Sequence, residues 1–506
     1  MLFNSFGFLF VYLPLVVAAY FWLARSGRPM LPAAWLALAS LLFYAYWNPR
    51  HVLLLLLSIA VNYGCGRALM AQSERRRCWL MAGLLFDFGL LAYYKYANFL
   101  VANVDRLTGI DWHIGAIALP IGISFFTFTQ VAFLVDCYRG HVAQVRWVHY
   151  VLFVSYFPHL IAGPILHHKE MMPQFAAPAS RRPLASNFAI GLSIFVLGLA
   201  KKLLIADNLA PMVSPVFAPG VQPPLLEAWL ATLAYTFQLY FDFSGYSDMA
   251  IGLSRLFGVR LPVNFASPYQ AGDISAFWRR WHMTLSRFLR DYLYITLGGS
   301  RHGRWLRYRN LMLTMLLGGL WHGAGWTFIV WGGLHGAYLV LHQGWSRWLA
   351  TAAWRQHRCW RVASVMLTFL CVMVAWVFFR APDLASAGQV LAGLAGLNGI
   401  GLPQALARYQ PWLAALGVHA SYDGIRWIEL GGLALPTLAA AAGLAFFAPN
   451  LQEIFSHFEA DIERIVHRRW TLAWQPSALW SLACAGLFLA CLMNMNRVAE
   501  FLYFQF

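Results

Sequence analysis

A chain of 506 residues that is 60% hydrophobic and only 11% charged excludes a soluble globular fold, since soluble domains average roughly a quarter charged residues. The net charge of +17 would suggest nucleic acid as a partner in a soluble protein, but here the positive-inside bias of membrane proteins accounts for it. The seven cysteines show no CxxC and no finger spacing; they read as inert apolar positions, and no metal is assigned.

Runs of about 17–25 apolar residues, long enough to cross a roughly 30 Å hydrocarbon core, recur throughout. Candidate spans are 8–24, 31–47, 52–65, 80–94, 115–135, 148–162, 188–206, 225–241, 311–329, 331–345, 362–379, 432–447 and 479–493. The fold class is therefore all-α: a polytopic membrane protein of about a dozen spanning helices, forming one domain over 1–506. The first run has no basic residue ahead of it and no small-residue cleavage pattern after it, so it is expected to be a retained span. Arg25 and Arg28 in the first loop, then Arg67, Arg75, Arg76 and Arg77 in the third, against Arg50 alone in the second, place the N-terminus outside.

Between Arg255 and Arg309, ten arginines face only Asp273 and Asp291, which puts this segment on the cytoplasmic side. Its Trp, Phe and Leu content predicts short re-entrant or interfacial helices rather than a solvated loop. The nearly charge-balanced stretch 380–429 suits a longer outside loop, and apolar spacing over 453–469 predicts an interfacial amphipathic helix. No P-loop, GxSxG elbow, HExxH or dinucleotide fingerprint occurs.

Polar residues inside apolar runs are costly unless paired or facing water, so they mark candidate sites. His322 lies in GGLWHGAGW, flanked by glycines and by Trp321; a neutral imidazole there can take a proton from a hydroxyl, or it can simply hydrogen-bond between helices. FWRRWH places His282 forty positions earlier, beside Arg279 and Arg280, which either line a site or anchor an interfacial belt. In QLYFDFSGYSDMAIGL, Asp242, Ser244, Tyr246 and Asp248 either line an acceptor channel or form a structural network with nearby arginines. Asp87 and Lys95 read as a structural pair, and adjacent His167 and His168 point in different directions, which argues against a shared metal.

Taken together, YYKYANF (93–99), LPIGISFFTF (119–128), DCYRG (136–140), FPHLIAGPI (157–165), FWRRWHMTLSRFLRDYLYITLGGSR (277–301), YRNLMLTMLLGGLWHGAGWTFIVWGGLHG (308–336) and WVFFRA (376–381) resemble the membrane-bound O-acyltransferases. Within that family the bacterial polysaccharide O-acetyltransferase branch, including the alginate O-acetylation membrane subunit, is most similar. The resemblance covers about 93–381; helices over 382–506 match only generically.

It implies that His322 is the family's essential WHG histidine and His282 its second polar position. It also implies a ring of tilted helices around a central funnel, with acetyl-CoA or another acyl thioester as donor and no permanently bound cofactor. The expected partners are the membrane, periplasmic polysaccharide-acetylation proteins and the exported polymer, alginate- or cellulose-like, at the bacterial inner membrane. Trp321, Arg279, Arg280, Asp242, Ser244, Tyr246 and Asp248 are the channel candidates. Rival readings are D-alanyl, lipid or protein acylation within the family, or a polymer exporter or secondary transporter, though the inverted repeats of transporters are not found.

Overall fold

The computed structural model describes residues 1–71, 74–112, 114–348, 357–415, 417, 420–422, 428, 433–458, 472–495 and 502. The chain is all-α; among the described residues the only strands are Ile400–Gly401 and Ala420–Ser421, paired in parallel.

The N-terminal half runs through α1 (Leu13–Ala24), α2 (Met30–Ala45), α3 (Pro49–Met70), α4 (Arg76–Leu91), α5 (Ala97–Thr108), α6 (Ile123–Tyr138), α7 (Trp147–Ser155), α8 (His168–Ala176), α9 (Ala185–Ala200) and α10 (Asp207–Val213). A 32-residue helix, α11 (Leu225–Leu256), leads to the short α12 (Ile274–Trp278) and α13 (Met283–Phe288). Then come α14 (Arg304–His322), α15 (Trp326–Trp348), α16 (Arg358–Arg380), α17 (Leu384–Leu394), α18 (Gln410–Ala415), α19 (Ala434–Phe447), α20 (Leu451–Ile454) and α21 (Ala478–Asn494).

Among the described residues three helices, Pro49–Met70, Ala185–Val213 and Arg358–Arg380, are long and apolar enough to cross a membrane, and six more apolar helices have 10–17 residues. Length and composition therefore do not reach a count of a dozen crossings. Several expected spans are cut short for local reasons. Over 115–135 the helix begins only at Ile123, because Pro120 lacks an N–H and Gly122 sits in the left-handed region at φ 75°. Over 148–162 it ends at Ser155, since Pro158 disfavours helical backbone at Phe157. The run 311–329 is two helices broken after His322, where Gly323 turns extended at φ −159°, ψ 149°. His322 thus stands at a helix end rather than in the middle of a span.

The Arg-rich segment does fold as short helices, α12 and α13, followed by a π-helical turn over Leu289–Tyr294. The expected outside loop contains α17, whose N-terminus is capped by Asp383 accepting from the Ser386 N–H at 2.8 Å. Of the amphipathic stretch 453–469, positions from 459 onward lie outside the described residues; before it, α20 is closed by a capping box between Asn450 and Glu453.

Two glycine-lined seams hold the site. On α9 and α11, Gly191 packs on Gly252 and Gly198 on Gly245 so closely that an added Cβ would meet the opposing backbone carbonyl. On α14 and α15, Gly319 and Gly332 do the same, which brings the His322 end of α14 against α15.

Candidate active site

His322 closes α14 and is buried, its ring caged by Trp321 at 4.9 Å, Trp331 at 5.0 Å and Phe379 at 5.2 Å between centroids. The helix end itself is held from α4's side: Lys95 Nζ donates to the carbonyls of Trp321 and His322, and Tyr96 Oη donates to the Leu320 carbonyl at 2.8 Å. These carbonyls are among the four that a helix C-terminus leaves without intrahelical partners. Lys95 is therefore not paired with Asp87, which instead accepts from Asn62 Nδ2 at 2.7 Å. The π-helical turn Ala92–Tyr96 adds a residue to the register and rotates Lys95 off the Asp87 face.

His282 arrives from the α12–α13 corner, with ring centroids 6.3 Å from His322 and 6.2 Å from Trp321. Its backbone is left-handed, φ 43°, a costly conformation for a non-glycine residue and one that recurs at functional sites. Asn264 holds it there. Asn264 Oδ1 accepts from the Thr284 N–H at 3.3 Å and the Thr284 hydroxyl at 2.9 Å, and lies 3.1 Å from His282 Nδ1. Because the backbone N–H can only donate, that Asn264 atom is an oxygen; His282 Nδ1 must carry the proton and Nε2 the lone pair.

The remaining candidates separate from this pair. Asp242 and Asp248 form ion pairs with lysines rather than arginines: Lys202 Nζ lies 2.7 Å from Asp242 and 2.8 Å from Asp207, and Lys201 Nζ lies 2.6 Å from Asp248. Tyr246 stacks on Phe3 at 4.8 Å, and Ser244 is buried in α11. From this helix it is Phe243, not an acid, that meets His282, ring to ring at 4.7 Å. Arg279 is exposed and donates to Ser275 Oγ at 2.8 Å; Arg280 is half-buried and its carbonyl accepts from the Ala266 N–H. Nor are all ten arginines of 255–309 open to solvent, since Arg255 is buried and Arg287 is held by both oxygens of Glu170 at 2.9 and 3.0 Å.

His159 hydrogen-bonds the Phe153 carbonyl. His167 and His168 both reach the Asp136 carboxylate: His168 Nδ1 lies 3.4 Å from it, while His167 Nδ1 meets the Tyr292 hydroxyl, which donates to the same carboxylate at 2.9 Å.

A family model described as the membrane-bound O-acyltransferase family matches residues 126–380, half of the chain. A peptidoglycan O-acetyltransferase of Helicobacter pylori is 43% identical over 431 residues, covering 79% of this chain and 81% of its own. Probable alginate O-acetylases of Azotobacter vinelandii and Pseudomonas syringae are 44% identical over 78% of this chain and of that protein, and 36% identical over the whole of both. The chain belongs to the membrane-bound O-acyltransferase family.

It is accordingly a membrane enzyme, an O-acyltransferase. The matched region of this O-acyltransferase begins in α6 and ends with α16, and so contains both histidines, their aromatic cage and Asn264, but not Lys95. Sequence reading singled out both histidines and Trp321; it missed Asn264, Trp331 and Phe379 as site residues and gave Lys95 another partner. Lys95 and Phe379 lie in motifs that carried the resemblance. Asn264 gave no signal beyond an amide in a mostly apolar segment. Chemically, two histidines within one aromatic enclosure can move a proton at a hydroxyl oxygen while excluding water, and acyl transfer to an alcohol needs both.

Proposed function

We propose that this chain transfers an acetyl group from a cytoplasmic thioester donor, acetyl-CoA, to a hydroxyl of an exported, alginate-type polysaccharide at the bacterial inner membrane. The observation that carries the reading is the convergence of His322 and His282 from segments forty positions apart, at 6.3 Å between ring centroids. His322 takes the proton of the acceptor hydroxyl, whose oxygen attacks the thioester carbonyl. The C–S bond breaks and the thiolate takes a proton as it departs. His282, its tautomer fixed by Asn264, orients the donor through the face it turns to His322.

The name of the alginate O-acetylase that matches end to end and the 79% coverage by a peptidoglycan O-acetyltransferase favour a glycan acceptor outside the cytoplasm. The acceptor hydroxyl belongs either to the polymer or to a serine of a periplasmic partner protein that then acetylates it; the proton chemistry is the same. The arginine-rich loops favour an N-terminus outside and the α12–α14 segment on the donor side.

Inside-out membrane vesicles given radiolabelled acetyl-CoA test this. Label is expected in the polysaccharide or its periplasmic partner, dependent on this protein. Label that stays in the thioester, or that enters only lipid, contradicts it.

A further inference from the structure

The mechanism above leaves Trp326, the last residue of GGLWHGAGW, unused. Its side chain is large, apolar and 50% exposed, yet its one polar atom is turned inward: Nε1–H donates to Asn103 Oδ1 at 2.9 Å. Phe99 meets the indole edge-on, 6.0 Å between centroids at 62°. Asn103 is pinned in turn, since its Nδ2 donates to the Phe99 carbonyl at 2.6 Å. The ring is therefore fixed from α5, with its carbon framework outward. A tryptophan that only anchors a protein at the membrane interface presents its N–H to the wet side, which is the reverse arrangement.

The position of this ring points to what it meets. Both α4 and α14 begin among arginines, Arg75, Arg76 and Arg77 in one case and Arg301, Arg304, Arg307 and Arg309 in the other. Both end at the site, where Lys95, beyond α4, donates to the Trp321 and His322 carbonyls that close α14. The corner after His322 thus faces away from the arginine-bearing ends, toward the side from which the acceptor approaches in the reading above. Four residues of chain span at most about 14 Å, so Trp326 stays within that distance of the base. Only glycines and the Ala324 methyl lie between the two in sequence, and Gly323 packs so closely on the Phe328 ring that a Cβ there would collide with it. Such a corner holds the platform at a set offset from His322. Beside the platform, Asn103 has a second amide N–H with no acceptor among the described residues.

We infer that Trp326 and Asn103 form a sugar-binding platform for the acceptor. The indole face stacks on the C–H face of a pyranose ring of the polysaccharide, and Asn103 donates its second N–H to a hydroxyl of that ring, which sets a hydroxyl further along the chain before His322. The C–H bonds of a pyranose carry the slight positive charge that suits the negative face of an aromatic ring, and its rim hydroxyls accept from an amide. This rests on the glycan-acceptor reading above.

The test is the affinity of the purified protein, in lipid nanodiscs that leave both faces open, for an end-labelled alginate oligosaccharide, with acetylation of the polymer in cells scored in parallel. Trp326→Ala is expected to weaken binding about tenfold, the scale of a lost aromatic stack, while Trp326→Tyr, which keeps an aromatic face, stays within about threefold of the native protein. Asn103→Ala should weaken binding as well. His322→Ala should bind within about threefold of native while losing acetylation, which separates platform from chemistry. Native affinity in Trp326→Ala overturns the proposal, and so does a native protein without affinity for the oligosaccharide, the result expected if the acceptor is a partner protein's serine. A lowered unfolding midpoint in Trp326→Ala with unchanged affinity would mark a membrane anchor and also overturns it. Should Trp326→Ala fail to insert, Trp326→Leu and Asn103→Ala decide by the same readout. If the platform variants behave as native while His322→Ala is inactive, this inference alone falls. If His322→Ala is fully active, the proposed function falls instead.

Discussion

Two polar regions are buried in the same helix packing, and they are built on opposite principles. Where α11 meets the π-helical turn Lys201–Ala206, three carboxylates face two ammonium groups: Lys202 bridges Asp242 and Asp207, and Lys201 meets Asp248, all within 2.6–2.8 Å. Around the His322 ring the neighbours are Trp321, Trp331, Phe379, His282 and, behind His282, Asn264, while Lys95 donates to the backbone carbonyls of Trp321 and His322 rather than to a carboxylate. Charges that satisfy one another at contact distance hold helices in register, and they leave little to offer a substrate. Imidazoles held by packing rather than by ion pairs keep their proton chemistry for the reaction. The same helix shows both uses one residue apart, since Asp242 faces Lys202 while Phe243 faces His282.

The comparison can be broken by variants that separate folding from chemistry. His322→Ala is expected to cut turnover per inserted protein by roughly a hundredfold to ten-thousandfold, the range of a lost general base, with little change in detergent-solubilised thermal stability. Lys202→Ala should do the reverse. It strands two buried carboxylates and should cost about 3–5 kcal/mol, read as a lowered unfolding midpoint or lost membrane insertion, while surviving protein turns over normally. A stable Lys202→Ala protein lacking activity would move the acid cluster into the site.

Lys95→Met sharpens the boundary between the two regions. It uncovers the Trp321 and His322 carbonyls, and a loss of about 1–3 kcal/mol is expected together with reduced turnover, because the helix end it releases carries His322. Asn264→Leu should have the smallest effect, lowering kcat about tenfold with donor affinity nearly intact, because it frees the His282 tautomer. Asn264→Asp, which keeps the acceptor oxygen, should retain more activity; equal losses in both would mean that Asn264 serves the corner's backbone rather than the ring.

What the sequence made legible was the all-α class, most helix positions and the two histidines. Each histidine sits in a run of apolar and aromatic residues whose cost in a membrane flags it. The partners were less legible, because partnership is set by packing at long sequence separation. Asp242 was read against arginines, yet its lysine lies forty residues back on α9's extension. Asp87 and Lys95 looked matched by spacing until a π-helical turn changed the face. Helix ends escaped for a related reason: the apolar runs 115–135 and 311–329 are continuous in hydropathy, and only Pro120, Gly122 and Gly323 mark where the backbone leaves the helix.

The most direct measurement is the acetyl-ester content of the exported polysaccharide from cells carrying His322→Ala in place of the native protein, at matched membrane levels of the protein. Content at the background of a strain lacking the protein, with polymer yield unchanged, is the predicted result. Acetylation at the native level would contradict the account, and loss of the polymer itself would point to export instead of acyl transfer.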